Sequence, residues 1–569
     1  MKYIVSINET SFFSFLWLCL NKRDVYFIGV DPWFPPFRRI CQFTLDWAVK
    51  LGRVKDVMEL CPEHYHLRER WITIALFNIF GKIESGVDKF FAFEKADVSI
   101  PIYAMAYKKV VWNYIRPKKL DVLILKSVLP QLAAKDVRVI GVYPCIINAA
   151  ENYANQSFDS VVKHIGKGFF PAINAFFSIN ILIYSIIWIL TRIRPFASKP
   201  ENVFVAADFI NDERDYRVYK ELIDGGTIVL VPRHADTSPE NSSALKDYKW
   251  CKPKNGHFTV LLALEALKDV IIDQISLYLS FRNIEPGVFF QLSTLPYRRI
   301  VIRALFNRIR PSYYWCRDEY NVEHILRRQE LNKVGGLAYG ISHGIEAEKN
   351  IASSWRYISL DRYYIFGEVF YDIHKDTWDK NMKLRVVGSF TPTRKDYTLI
   401  DKPRPNDIVV FTGICALEPR LVEAVREIAE GFTDRKIWLQ IKPGFAELPR
   451  GKSLIAACTR DLPNVHHTDD KVFKIIHRTS YAFSDPSTVV IEAMQFGVTS
   501  FFLDISDIHD ECIYREYPGL SLKSGKEAVK VIRDIENGSW KYPRESFASL
   551  VDLSGRVIFD VIREDMGLA

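Results

Sequence analysis

The stretch Ser484-Asp485-Pro486-Ser487-Thr488 follows an apolar run and precedes a helical pattern that carries Glu492. A helix start leaves backbone N–H groups unpaired and carries the positive end of the helix dipole, so hydroxyls placed there suit a phosphate. The same residue types are also ordinary N-caps. Glu492 follows Thr488 at helical spacing and shares its face, where a carboxylate can bridge two ribose hydroxyls. Gly497 is the residue type expected just past a helix end.

Three further turns follow apolar runs. In GISHGIEAEK, Gly344 permits close backbone approach and His343 offers an imidazole for proton transfer or phosphate binding, against the alternative of a packed loop histidine. In FTG, Thr412 and Gly413 stand where a diphosphate-facing loop or a plain turn would begin. In QIKPGF, Lys442 supplies charge while Pro443 and Gly444 fix a turn whose backbone could read a base.

The elements that must position these residues alternate. From about residue 200, β-rich runs such as NVFVAADFI, TIVLVP, LAYGI and YYIF are separated by helical patterns, a βαβ rhythm that implies parallel sheets covered by helices. A polar, Pro-containing stretch near residue 395 reads as a linker, and a second α/β unit opens at DIVVFTGI. The expected architecture is α/β, with two Rossmann-like domains, 1–395 and 396–569, facing a central cleft. The tail SFASLVDLSGRVIFDVIRED is helical in pattern.

Composition narrows the class. The chain has 569 residues, 48% hydrophobic and 25% charged, which suits more than one packed domain and leaves no disordered tail. A net charge of +8 without a dense Lys/Arg tract fits an anionic membrane surface or substrate better than nucleic acid, so no nucleic-acid partner is expected. Nine scattered cysteines without a CxxC pair read as buried thiols of a reducing compartment. The N-terminus reads as a strand, Lys2 to Ser6, and a buried helix rather than a signal peptide.

One run stands apart. Phe169 to Leu190 is 22 residues without charge, flanked by Lys163, Lys167, Arg192 and Arg194. It is long enough to span a bilayer, to lie in its surface, or to serve as a core helix. Basic flanks on both ends favour surface attachment, with Phe176, Phe177, Ile181 and Trp188 entering lipid. The expected location is cytoplasmic, peripheral on the inner face of the cell membrane.

Taken in order, GxSHG, KPG and SDPSTxxxEAxxFGV resemble the GT-B glycosyltransferases of bacterial surface-polysaccharide synthesis, namely the capsule Kdo transferase, polysialyltransferase and teichoic-acid polymerase groups. The resemblance covers roughly residues 310–505. It implies transfer from a nucleotide-sugar donor, CMP-linked by preference, to a growing glycan or lipid-linked glycan. It implies donor phosphate on Ser487 and Thr488, ribose on Glu492, the base beside Lys442, Pro443 and Gly444, and His343 near the reaction. Gly444 stands where the family pattern has His, so base contact would rest on backbone and Lys442.

Such a reaction needs a base for the acceptor proton. His343 and Asp318 are preferred, with His234 and Asp236 of VPRHAD behind them. Arg233, with His234, could hold a carboxylate or phosphate, or close a surface ion pair. Glu346 and Glu368 have weaker claims. His466 and His467 lack partners at ligand spacing, and neither metal nor cofactor is expected. Two rivals remain: a nucleotide-sugar 2-epimerase on the same scaffold, and a non-catalytic membrane scaffold of a polysaccharide assembly complex.

Overall fold

The computed structural model describes residues 1–8, 11–30, 35–60, 104–115, 125, 128, 137–142, 147, 167–195, 200–209, 218–221, 228–233, 248–317, 319–345, 355–413, 419–505 and 512–568. Within them the strands form three sheets, and every strand pair is parallel. The first sheet comprises β1 (Lys2–Ile7), β2 (Val25–Val30), β3 (Lys55–Asp56) and β4 (Val137–Ile140), in the order β3-β2-β1-β4. The second comprises β5 (Glu201–Phe209), β6 (Ile228–Pro232), β7 (Lys249–Trp250), β8 (Ile309–Cys316), β9 (Leu337–Ile341), β10 (Arg362–Ile365) and β11 (Lys383–Val386). Its order is β11-β10-β9-β8-β5-β6-β7. The third comprises β12 (Ile408–Thr412), β13 (Ile437–Ile441), β14 (Val465–His467), β15 (Tyr481–Ser484), β16 (Thr499–Leu503) and β17 (Ser521–Leu522), ordered β14-β13-β12-β15-β16-β17.

The α/β class with two large parallel sheets, expected from the sequence, is the observed one. Central strands such as IVVFT of β12 are buried throughout, as strands covered on both faces must be. Each large sheet winds outward from one point where strand order reverses, between β5 and β8 in the second and between β12 and β15 in the third. Crevices for ligands open at the carboxyl ends of strands at such points. The first sheet is an addition to the two expected. The helix Ala104–Ile115 ties it to the second through a shared core that includes Ile4, Tyr107, Trp112 and Val203.

Two details differ from the sequence patterns. The tail is not one helix: Arg544–Phe547 forms a short 3-10 turn, and the helix begins only at Ile558, after Gly555 adopts φ +71°. Lys442 is followed by a single helical turn, Pro443–Ala446, rather than an open turn.

The chain crosses between the large lobes twice. In the linker after β11, Ser389 Oγ donates to Glu492 Oε1 (2.6 Å) and its amide donates to Gln495 Oε1 (2.9 Å). Gly388 has φ +73°, and a Cβ there would stand 2.2 Å from Gln495. The positive φ is one that glycine adopts without strain, and the missing Cβ leaves room for the Gln495 amide. The chain then returns. Val369 N bonds Ser549 O (3.1 Å), and the last helix, Ile558–Asp565, packs on the second sheet. There Asp565 accepts from Tyr364 Oη (3.0 Å) and Arg385 Nη1 (2.8 Å).

The apolar run forms one helix, Phe170–Thr191, packed against the helices Val260–Phe281 and Pro286–Arg308. Asn174 donates to the carbonyls of Arg282 and Ile284 (both 2.9 Å), which pins the helix to the domain. Phe177 and Trp188, expected in lipid, are buried in the protein instead, because they face these neighbours. Phe176, Ile179, Ile183, Tyr184, Ile187 and Leu190 are exposed. Leu261, Leu264, Ile272, Ile275 and Leu279 of Val260–Phe281 extend the exposed apolar area. Behind it, Glu330 joins Arg299 (2.5 Å) and Arg303 (2.7 Å), and Arg303 also reaches Asp269 (2.7 Å), clamping three helices.

Candidate active site

At the reversal point of the third sheet, β12 ends in Thr412 and its neighbour β15 in Ser484. Both hydroxyls are buried and have no hydrogen-bond partner among the described residues. An orphaned buried hydroxyl costs desolvation free energy unless something polar completes it; Ser484 is in register with Phe411, so the two hydroxyls leave the strand ends on opposite faces of the sheet. The Gly413 amide donates to Asp485 Oδ2 (2.7 Å), so this carboxylate, not a ligand, holds the turn after β12. The Lys442 amide bonds Thr412 O (3.0 Å), and its side chain is exposed above the same crevice, close to Gly413. Gly444 is exposed, with open space where a side chain would be.

Ser487 and Thr488 lie just beyond. Thr488 precedes the helix Val489–Gln495 in helical conformation and makes no side-chain cap. The plain N-cap reading therefore fails for it. Its Oγ1 instead accepts from Ile345 N (3.2 Å), across the cleft from the second sheet. A Cβ on Gly344 would stand 3.2 Å from the same oxygen, so glycine keeps the two lobes in contact here. Glu492, one helical turn on, is buried against Ser389. Gly497 closes the helix with φ +78°, as its type predicts.

His343 follows β9, at the carboxyl end of the second sheet. Its Nδ1 stands 3.0 Å from Glu319 Oε1, and Glu319 is itself buried and accepts from Trp355 Nε1 (2.8 Å). Tyr320 packs edge-on to the imidazole at 4.2 Å between centroids, with Trp355 at 5.7 Å. Among the described residues Nε2 makes no hydrogen bond. The Glu319 carboxylate lies within ion-pair distance of Nδ1 but out of hydrogen-bond geometry, and an imidazole beside such a charge can serve as a base. Burial first, and the Glu319 charge next, hold the nearby Tyr363 hydroxyl well above its ordinary pKa, so it stays neutral.

The other candidates separate. Arg233 is no surface ion pair: its Nη2 and Arg327 Nη1 converge on Asp208 Oδ2 (2.9 and 2.6 Å), while Tyr314 donates to Oδ1 (2.9 Å). Burial opposes ionisation of Asp208, but the two guanidinium charges outweigh it and hold its pKa below the usual carboxylate value. Glu368 is exposed in the first turn of the helix Glu368–His374. His466 packs near Trp438, and His467 lies 3.6 Å from Asp469 on the edge strand β14, away from the cleft. Asp318, His234, Asp236, Glu346 and Lys163 lie outside the described residues. Sequence reasoning missed Glu319, Ser484 and Asp485 as members of this constellation.

No family model and no curated protein matches the chain. Among solved structures, the wall teichoic acid polymerase TagF soaked with CDPG matches over 70% of this chain and 98% of its own at 11% identity, TM-score 0.38. The lipopolysaccharide outer core galactosyltransferase WaaB, in its apo form, matches over 64% and 98% at 12% identity, TM-score 0.37. Acinetobacter baumannii MurG matches over 64% and 100% at 12% identity, TM-score 0.35. At scores this low the likeness says nothing of the reaction, which has to be argued from the cleft.

Proposed function

We infer that the protein is a glycosyltransferase of the GT-B type, moving a sugar from a nucleotide-sugar, CMP-linked by preference, to a glycan hydroxyl. One observation carries the reading: the hydrogen bond from Ile345 N to Thr488 Oγ1 brings the His343 loop of one sheet, with the Glu319 carboxylate beside it, against a hydroxyl-rich turn of the other. In this reading His343 Nε2 takes the acceptor proton as the new C–O bond forms at the anomeric carbon. The bond to the leaving phosphate breaks, and its charge gathers where Lys442, Ser487 and the orphaned Thr412 hydroxyl can stabilise it. Glu492, oriented by Ser389, holds ribose.

The deciding experiment is a thermal-shift screen against CMP, CDP, UDP, GDP and TDP, because a ligand that binds only the native state raises its stability. At least one should bind. Ser487→Ala with Thr488→Val should weaken that binding or the transfer rate roughly tenfold or more, the cost of losing a hydrogen bond to a charged group. No shift with any nucleotide would leave the scaffold alternative. Epimerised donor released without acceptor would favour the 2-epimerase.

The exposed apolar faces of Phe170–Thr191 and Val260–Phe281, with Arg192 and Arg194 at the end of the first, support attachment to the cytoplasmic face of an anionic membrane. Replacing Phe176, Ile183 and Ile187 by Ser should move the protein to the soluble fraction without lowering its melting midpoint. A wild type already wholly soluble would defeat this location.

A further inference from the structure

The helices that follow β1 and β2 carry two apolar stripes each, and the fold uses one of them. β1, β2 and β3 lie side by side in chain order, so right-handed crossovers bring both connecting helices, Phe12–Asn21 and Pro35–Lys50, to the same face of the first sheet. Their inner stripes, with Phe12, Phe15 and Leu18 on one and Cys41, Leu45 and Ala48 on the other, share a core with Val5, Ile7 and Val25. Phe12 meets Phe37 edge-on at 5.0 Å between centroids, so the two helices are neighbours. Their outer side is apolar again. Phe13, Trp17 and Leu20 recur at helical spacing on the first helix, exposed. Ile40, Phe43 and Trp47 do so on the second, with Leu51 one turn on. Single exposed apolar residues are ordinary, but two such stripes on adjoining helices mark a contact surface.

We propose that this helix pair binds the surface of an anionic bilayer, at a place separate from Phe170–Thr191. The proposal rests on the membrane location given above and adds to it a second lipid-contacting surface, carried by the first sheet.

Three observations choose a bilayer as the occupant. The first is charge. Over residues 12–24 and 35–53 the basic residues are Lys22, Arg23, Arg38, Arg39, Lys50 and Arg53, against Asp24 and Asp46. Such a fringe is complementary to anionic headgroups, while two copies of the face would repel each other. The second is the setting of a tryptophan. Lys22 Nζ lies 5.7 Å from the centre of the exposed Trp17 ring, an aromatic body with a cation beside it, as at a headgroup boundary. The third is how far the rings project: Phe13 is 79% and Phe43 74% exposed. A bilayer accepts projecting rings as they stand, whereas a protein partner has to offer a matching hollow for each.

This surface is joined to the rest of the molecule. Tyr107 of the helix Ala104–Ile115 stacks on Phe281, at the end of Val260–Phe281, at 4.9 Å. Two lipid contacts on one connected body hold more tightly than either alone, because the first raises the local concentration for the second.

The test uses the full-length protein and vesicles of phosphatidylcholine, with and without phosphatidylglycerol, read by co-sedimentation. Phe13→Ser with Phe43→Ser should weaken binding to the anionic vesicles roughly tenfold or more and leave the melting midpoint in place. Arg39→Gln with Lys50→Gln should weaken it on anionic vesicles and not on neutral ones. Trp17→Phe with Trp47→Phe should still bind but lose part of the fluorescence quenching by brominated lipid, which keeps the proposal testable if the Ser variant misfolds. Quenching unchanged by that pair, or anionic binding unchanged by the Ser pair, would overturn the proposal. If Phe176, Ile183 and Ile187 to Ser then released the protein, the location given above would stand without this second surface. Binding lost with Phe13 and Phe43 but kept in that triple variant would uphold this surface and remove the other. A wild type that ignores anionic vesicles would sink both and leave the helix pair to a protein partner.

Discussion

His343→Ala is expected to lower the transfer rate by about 10²–10⁴-fold while nucleotide affinity holds, because a positioned base contributes about that much. His343 is assigned to the acceptor proton and the donor to other side chains, so binding and chemistry should separate. Glu319→Gln keeps the shape and the hydrogen bond to Trp355 but removes the charge beside Nδ1. It should fall between wild type and His343→Ala in rate, again with donor affinity unchanged. Single-turnover assays at saturating donor read this directly. Full activity in His343→Ala would mean that the base lies elsewhere in the cleft and that Glu319 merely packs the loop.

The second large effect is on stability and lies far from the cleft. Glu330 is buried, and burial opposes its ionisation; the hydrogen bond and charge of Arg303, with the charges of Arg299 and Lys333, outweigh that and depress its pKa from 4.5 to about 2. A depressed carboxylate stabilises the fold fully above its unfolded pKa and loses that contribution as pH falls toward the folded value. The window is therefore 4.5 down to about 2, and the contribution is of order 3 kcal/mol. Glu330→Gln leaves Arg299 and Arg303 buried with only Asp269 and Asp273, a loss of about 3–5 kcal/mol near neutral pH. Urea unfolding at about pH 7 and about pH 3 should show the wild type losing stability and the variant changing much less. Equal acid sensitivity in both would mean that other carboxylates govern acid unfolding.

The fold's two main sheets were legible because each central strand is a short apolar run stopped by a polar or glycine-containing turn. His343, Lys442 and Ser487 stand at those stops for that reason. Glu319 was not legible: its neighbour Asp318 has the same chemistry, and spacing does not say which carboxylate of a loop turns inward. Nor was the first sheet, whose β1 pairs with β4 across more than a hundred residues of chain that carry no periodic signal for it. The apolar helix was legible by length, but not which rings face the protein. Phe177 and Trp188 are buried because the helices Val260–Phe281 and Pro286–Arg308 lie against them, and nothing in the run itself names those neighbours.

The two chain crossings between the lobes have a mechanical consequence. Two tethers, one at Ser389 and one near Ser549, define a line, and bodies joined along a line swing about it more readily than they slide or twist. Displacement in such a swing grows with distance from the line. Ser389 bonds the helix Val489–Gln495, whose preceding residue Thr488 meets Ile345, so the reacting groups sit close to the pivot on a short lever arm. A swing of the lobes about that line would therefore displace His343 and Thr488 less than groups farther from it, so the meeting of the two reacting turns tolerates such motion.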